Sequence, residues 1–255
     1  MSWLAIWLIG VGVADVVRSL ARPLWVSAAC GVGSVVLLSA LSGLGEIHEV
    51  AVLAASIVLL VGWVWLADRA QRRATGHRRA LLALGSGVAL LIAFSGWAEP
   101  ISGPLGQWLE SMTVLHREAT GADATHALLV VAVLLVNVAT ANLVVRLVLV
   151  SIGAVRPMDP ARVDPPVGPA AELRGGRLLG PMERLLIVGL GLAGQVTAAG
   201  LVIAAKGILR FPELQAKRSD TEEVTGVGID AVTEYFLVGS FTSWLFALTS
   251  LALIR

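Results

Sequence analysis

The sequence contains few charged residues. Asp, Glu, Lys and Arg together make up 15 % of the 255 residues, whereas 56 % are hydrophobic, and the mean hydropathy is +0.82. A soluble domain of this size does not need that much apolar surface for one core, so the composition predicts an integral membrane protein. The formal net charge of +1 gives no reason to expect a nucleic-acid partner.

Cysteine occurs once, at Cys30, which excludes an intrachain disulfide and a cysteine-based metal cluster. Catalytic and metal-binding motifs are missing as well. The segment HREATGADATH contains His116, Glu118, Asp123 and His126, but their spacing matches no ligand motif, and the sequence contains no HExxH. We therefore predict that the protein is not an enzyme and that it uses neither a metal nor a cofactor.

Seven hydrophobic runs are long enough to be transmembrane helices, since about 20 mostly apolar residues cross roughly 30 Å of hydrocarbon. The sequence thus predicts an all-α protein, a polytopic transmembrane helix bundle of about seven spans, or six if the sixth run is re-entrant. The first run is the least typical because it contains Asp15 and Arg18, which lie three residues apart and can neutralise each other. The runs are approximately Trp3–Leu20, Leu24–Leu44, Val50–Ala67, Ala80–Trp97, Ala127–Ile152, Leu185–Ala205 and Tyr235–Ile254.

The runs and the polar segments between them predict three parts. Residues 1–155 form an N-terminal membrane domain of about five spans. Residues 156–180 contain five prolines and little apolar content, which is typical of a linker. Residues 181–255 form a C-terminal membrane module of two spans with a polar segment between them.

Arginine-rich loops predict the orientation, because cytoplasmic loops carry the excess of positive charge. The loop at residues 68–79 contains five arginines and one acid and is therefore expected in the cytoplasm. We expect the protein to lie in the cytoplasmic membrane. Counting the spans outward from this loop places the N-terminus on the extracytoplasmic side and the linker on the cytoplasmic side. A continuous sixth helix, the preferred interpretation, places residues 207–234 outside. A sixth run that breaks and returns leaves both of its flanks in the cytoplasm.

The stretch LLIVGLGLAGQVTAAG, from Leu185 to Gly200, contains glycines in the G-x-G-x-x-G spacing of dinucleotide-binding domains. Only 61 residues follow Gly194, and the last twenty of them form another membrane-length run, so a doubly wound sheet does not fit. Read as a helix, the stretch instead places small residues on one face, where a neighbouring helix can approach closely. These predicted helix-packing residues are Gly189, Ala193, Thr197 and Gly200.

The same helix would carry a line of polar residues. Arg184, Gln195 and Lys206 are each 11 residues apart, close to three turns, which predicts two cations at opposite interfaces with Gln195 near the midplane. Glu183 is expected at the cytoplasmic start of this helix, where an acid suits the helix dipole. In the fifth run Asn142 and Arg146 share a face, and Arg146 either snorkels to the headgroups or joins a polar site. The candidate polar site comprises Arg184, Gln195, Lys206, Arg210, Glu234, Asn142 and Arg146.

The C-terminal third resembles an uncharacterised bacterial family of multi-pass membrane proteins, known only as a domain of unknown function. Three segments carry the resemblance: GPMERLLIVGLGLAGQ, GLVIAAKGILRF and EYFLVGSFTSWLFAL. The N-terminal part differs, since the early His-Asp pattern of that family does not occur here. The resemblance implies a shared membrane module and no particular activity.

Two functions remain open from the sequence. The preferred one is a non-catalytic membrane component that docks a second copy of itself or another membrane protein, in contact with the lipid bilayer and with no nucleic acid. The alternative is a transporter or channel for a small solute or ion, with a polar path near Gln195 and Lys206.

Overall fold

The computed structural model describes residues 1–20, 23–73, 75–113, 121–153, 176–221 and 229–254, and within these ranges every regular element is a helix. The predicted all-α class is therefore confirmed for the described part of the chain. The helices are α1 Ser2–Ser19, α2 Leu24–Leu41, α3 Ile47–Arg73, α4 His77–Ala93, a short 3-10 helix Ser95–Trp97, α5 Pro104–Thr113, α6 Gly121–Val138, α7 Thr140–Ser151, α8 Gly176–Leu192, α9 Val196–Thr221 and α10 Ile229–Ile254.

Four helical segments are long and apolar enough to cross a membrane: α1, α2, α3 and residues Phe236–Ile254 of α10. A fifth is added if α6 and α7, which are bent by 45° at their junction, count as one span. The predicted number of seven membrane spans is not confirmed. One reason is α4, which has 17 residues, one fewer than α1 and α2, and is not among these candidate spans. The predicted fourth run continued to Trp97, but the α-helix ends at Ala93.

The chain divides into two compact units. Unit one comprises Met1–Thr140 with Ile254, and unit two comprises Ala141–Leu253 with Arg255. The sequence-based division after residue 155 lies at the other end of α7. Of the predicted linker, residues 156–175 lie outside the described residues, and residues 176–180 form the start of α8.

Helix α1 is the core of unit one, although it is the least apolar of the predicted spans. It packs against α2, α3, α4 and α6, and most of its residues are buried. It crosses α2 where both helices have a glycine: a Cβ added to Gly31 would lie 2.9 Å from the carbonyl oxygen of Gly10. The expected pairing of Asp15 with Arg18 is confirmed, and Asp15 Oδ2 also accepts a hydrogen bond from Trp63 Nε1 at 3.2 Å. The buried charges of α1 are thus compensated inside the unit.

The sixth run is not one helix, so the prediction of a continuous span is wrong. Helix α8 ends at Leu192, and α9 begins at Val196 and packs back on α8. Gly194 adopts a left-handed conformation, with φ of +75°. The Gln195 N–H donates to the Leu190 carbonyl at 2.8 Å, and the Gly194 N–H donates to the Gly191 carbonyl at 3.1 Å. This is the Schellman pattern that ends a helix at a glycine, and it makes α8 and α9 a helical hairpin.

We predict that Gly194→Ala destabilises the protein by about 1–2 kcal/mol, because a side chain strains the left-handed conformation. The matched control is Gly189→Ala in α8, where no atom lies within 4 Å of an added Cβ. Alanine is the better helix former there, so stability should be unchanged or slightly higher. Thermal unfolding of the detergent-purified variants measures both effects, and equal stability of the two variants would contradict the hairpin turn.

Candidate functional site

Charged residues of unit two meet within the hairpin. Glu183 in α8 is only 7 % exposed, and its Oε2 pairs with Lys206 Nζ of α9. Its Oε1 accepts a hydrogen bond from Trp244 Nε1 of α10 at 2.7 Å. Lys206 Nζ also lies 5.8 Å from the ring centre of Trp244, within the range of a cation–π interaction. Glu183 and Lys206 lie almost equally far along the chain from Gly194, so the reversal brings them together.

Arg184, the next residue of α8, is bonded to two other helices. Its Nη1 donates to Ser243 Oγ of α10 at 2.9 Å, and its Nη2 donates to Asn142 Oδ1 of α7 at 2.6 Å. Arg184 is 2 % exposed, whereas Asn142 lies at the surface of the unit. We call the six residues of these contacts the polar cluster: Asn142, Glu183, Arg184, Lys206, Ser243 and Trp244.

The polar cluster lies at mid-depth of a candidate span. Ser243 is seven residues after Phe236 in the 19-residue span Phe236–Ile254, about 11 Å along the helix. A charge at the centre of a membrane helix costs about 2.5–3.5 kcal/mol on insertion scales. The ion pair and the hydrogen bonds of the cluster offset this cost, because each buried charge has polar partners within the unit.

The structure brings three of the predicted site residues together, namely Arg184, Lys206 and Asn142. Gln195 lies at the exposed hairpin turn, away from them. Arg146 lies one turn beyond Asn142 on α7 and is partly exposed. Arg210 and Glu234 belong to α9 and α10, but their side chains are outside the described part of the structure.

The helix break corrects the predicted polar line. Arg184 and Lys206 do not lie at opposite interfaces on one helix, since they sit on the two arms of the hairpin and join the same cluster. Glu183 does not mark a helix start, because it is buried in the middle of α8.

The predicted single packing face is also absent from the described hairpin, because its residues are divided by the turn. Gly189 belongs to α8, Ala193 to the turn, and Thr197 and Gly200 to α9. No atom lies within 4 Å of a Cβ added to Gly189 or Gly200. The close contact in α8 is instead at Gly191, where an added Cβ would lie 2.2 Å from Leu251 Cδ2.

Sequence reasoning did not assign Ser243 and Trp244 to the site, and it placed Glu183 at the start of the sixth helix. Two signals pointed to them. Glu183 directly precedes a long apolar run, and Trp244 lies in the middle of a run although tryptophan usually marks span ends.

Among the residues that the structure describes, no group of three or more His, Cys, Asp or Glu side chains could hold a metal ion. Of the acids and histidines in the segment HREATGADATH, His126 is exposed on α6. His116 and Glu118 lie outside the described residues, as does the side chain of Asp123.

Comparison with known proteins gives no assignment: no protein-family model, no curated protein and no solved structure matches the chain.

We predict that Glu183 and Lys206 are energetically coupled. Removing one partner leaves a buried charge uncompensated, so Glu183→Gln and Lys206→Met should each destabilise the protein by up to about 3–5 kcal/mol. The double variant should lose less than the sum, with a coupling energy of about 1–3 kcal/mol by unfolding in detergent.

The control cycle uses Asp68→Asn and Arg72→Met. These residues form a pair at 2.8 Å on α3 in which the arginine side chain is 71 % exposed. Its coupling should be about 0.3–0.5 kcal/mol. Equal coupling in the two cycles would contradict a buried ion pair in the hairpin.

Proposed function

We propose that the protein is a non-catalytic, multi-pass component of the cytoplasmic membrane that docks a second copy of itself or another membrane protein through α9. The observation that carries this proposal is the face of α9 turned away from Lys206 and the polar cluster. Helix α9 packs chiefly on α8, and its other face is exposed. We call this surface the outer face of α9. Its residues are Thr197, Gly200, Leu201, Ala204 and Ile208.

Small residues on the outer face favour contact with another helix. Gly200 and Ala204 are four residues apart, the small-xxx-small spacing that lets membrane helices approach closely. Nothing lies within 4 Å of a Cβ at Gly200, so this position is open to a partner. Leu201 and Ile208 are 65 % and 72 % exposed and supply apolar contact area beside it.

The polar cluster supports the same proposal in a structural role. Its ion pair and hydrogen bonds tie α8 to α7, α9 and α10. A hairpin held in this way presents the outer face of α9 on a fixed scaffold, and docking then requires no ordering of the two helices.

The hairpin also supports a revised orientation. Because α9 returns along α8, we propose that α4 crosses the membrane, as the sequence predicts, and that both flanks of the hairpin lie in the cytoplasm, which places residues 207–234 inside. Arg210, Lys217 and Arg218 then follow the preference of basic residues for the cytoplasmic side. The N-terminus remains extracytoplasmic in this proposal. We also propose that the C-terminal third belongs to the uncharacterised membrane family that it resembles.

A second candidate is a transporter or channel for a small solute or ion. It is favoured by the location of Glu183, Arg184 and Lys206 at mid-depth, since ionisable residues inside a membrane commonly mark ion or solute pathways. A transporter of this kind would depend on the polar cluster and would be insensitive to the outer face of α9.

We predict that copies of the protein cross-link through α9. In a Cys30→Ser background, Ala204→Cys should give a cross-linked dimer, or a cross-linked partner, in native membranes. Adding Gly200→Leu should lower the yield about tenfold, because the larger side chain keeps the backbones apart.

Gly85→Leu is the matched control, since Gly85 is an exposed glycine of α4 with no atom within 4 Å of an added Cβ. It should leave the cross-link unchanged. A strictly monomeric protein, or a yield that Gly200→Leu does not alter, would contradict docking through α9.

A further inference from the structure

Unit one contains a small cavity of about 20 Å³ between the first turns of α1 and α3 and the second half of α2. A water molecule needs about 10–15 Å³ of such volume, so the cavity has room for one or two species of that size. The residues that line it include Trp3, Trp7, Val35, Ser39, Glu49 and Ser56.

The cavity is bordered by a carboxylate that is only partly satisfied. Glu49 is 3 % exposed. Its Oε2 accepts a hydrogen bond from the backbone N–H of Glu46 at 3.1 Å, as the glutamate of a capping box does. Its Oε1 is buried and has no hydrogen-bond partner in the described structure.

A donor on the same cavity is also unsatisfied. Trp3 is 6 % exposed, and its Nε1 is buried without an acceptor among the described residues. Trp7 differs, because its Nε1 donates to the Ser56 carbonyl at 3.1 Å.

Glu49 differs from the other buried acids of the described structure, Asp15 and Glu183, because it lacks a basic partner. No Lys, Arg or His pairs with Glu49 among the described residues, and the adjacent His48 pairs with Glu46. A buried carboxylate is costly unless a positive charge compensates it. Ser39 and Ser56 line the same space, and a serine hydroxyl is the kind of oxygen ligand that hard cations prefer.

We propose that this cavity binds one monovalent cation of sodium size, held by Glu49 Oε1 and the serine hydroxyls. A water on the cation accepts the hydrogen bond of Trp3 Nε1. A single carboxylate matches a single positive charge, whereas a divalent cation beside one carboxylate would leave a net positive charge buried in the unit. This site is in unit one and does not depend on docking through α9.

The test is binding of radioactive sodium to the detergent-purified full chain, with ionic strength held constant by N-methyl-D-glucamine chloride, whose cation is too large for the cavity. Wild type should bind sodium saturably with one site per chain. Glu49→Gln should weaken binding by about tenfold or more, because it removes the charge. Glutamine preserves the capping box, so the start of α3 is retained.

Glu46→Gln is the matched control, since this neighbouring carboxylate has a side chain that is 64 % exposed, and sodium binding should not change. Sodium should also raise the Tm of wild type above its value in N-methyl-D-glucamine, and not that of Glu49→Gln. Absence of saturable sodium binding to wild type, as expected if water alone fills the cavity, would overturn the proposal. Unchanged binding by Glu49→Gln would overturn it as well.

Should Glu49→Gln fail to fold, Ser39→Ala decides, because it removes one oxygen ligand and leaves the capping box intact. It should weaken sodium binding several-fold, and wild-type affinity in this variant would reject the site.

Discussion

A buried carboxylate in each unit is held by the same two kinds of donor, a basic side chain and a tryptophan indole. In unit one, Asp15 pairs with Arg18 and accepts a hydrogen bond from Trp63. In unit two, Glu183 pairs with Lys206 and accepts one from Trp244. Helices surrounded by lipid have no water to solvate a buried charge, so each acid needs its partners inside the protein. This requirement explains why the least apolar predicted span, α1, is the core of its unit.

Glu49 is the exception to this arrangement. Its exposure is as low as that of the other two acids, yet its carboxylate accepts a hydrogen bond only from a backbone N–H among the described residues. The same physical requirement therefore points to a positive charge from outside the chain, and the adjoining cavity has room for a small cation. All three buried acids thus need a positive charge beside them. A basic side chain supplies it for Asp15 and Glu183, and the proposed cation supplies it for Glu49.

Composition and hydropathy were sufficient to predict the all-helical class and several of the spans, because long apolar runs can satisfy their backbone only as helices in lipid. The pairing of Asp15 with Arg18 followed from their spacing. The placement of Arg184 and Lys206 on the two arms of a hairpin did not, because an 11-residue spacing implies a shared face only if the helix is continuous. Hydropathy does not distinguish a glycine inside a helix from one that ends it.

Gly194 is where the sequence-based interpretation and the structure diverge. Three glycines in this run have the same spacing in either case, but one left-handed residue changes a polar line of 23 residues into a hairpin with its charges on neighbouring arms. Ser243 and Trp244 were missed for a related reason, since partners that are about 60 residues away are set by tertiary packing. The Schellman turn at Gly194 could be recognised only once the end of α8 and the start of α9 were known.

The most direct test of the account is the sidedness of the two hairpin flanks. In a Cys30→Ser background, single cysteines replace Glu172, before α8, and Lys217, in the second half of α9. They are labelled with a membrane-impermeant maleimide in intact cells and in inverted membrane vesicles. A chain that reverses at Gly194 within the membrane predicts that both positions are labelled from the cytoplasmic side only. Labelling of the two positions from opposite sides would contradict the hairpin and restore a continuous sixth span.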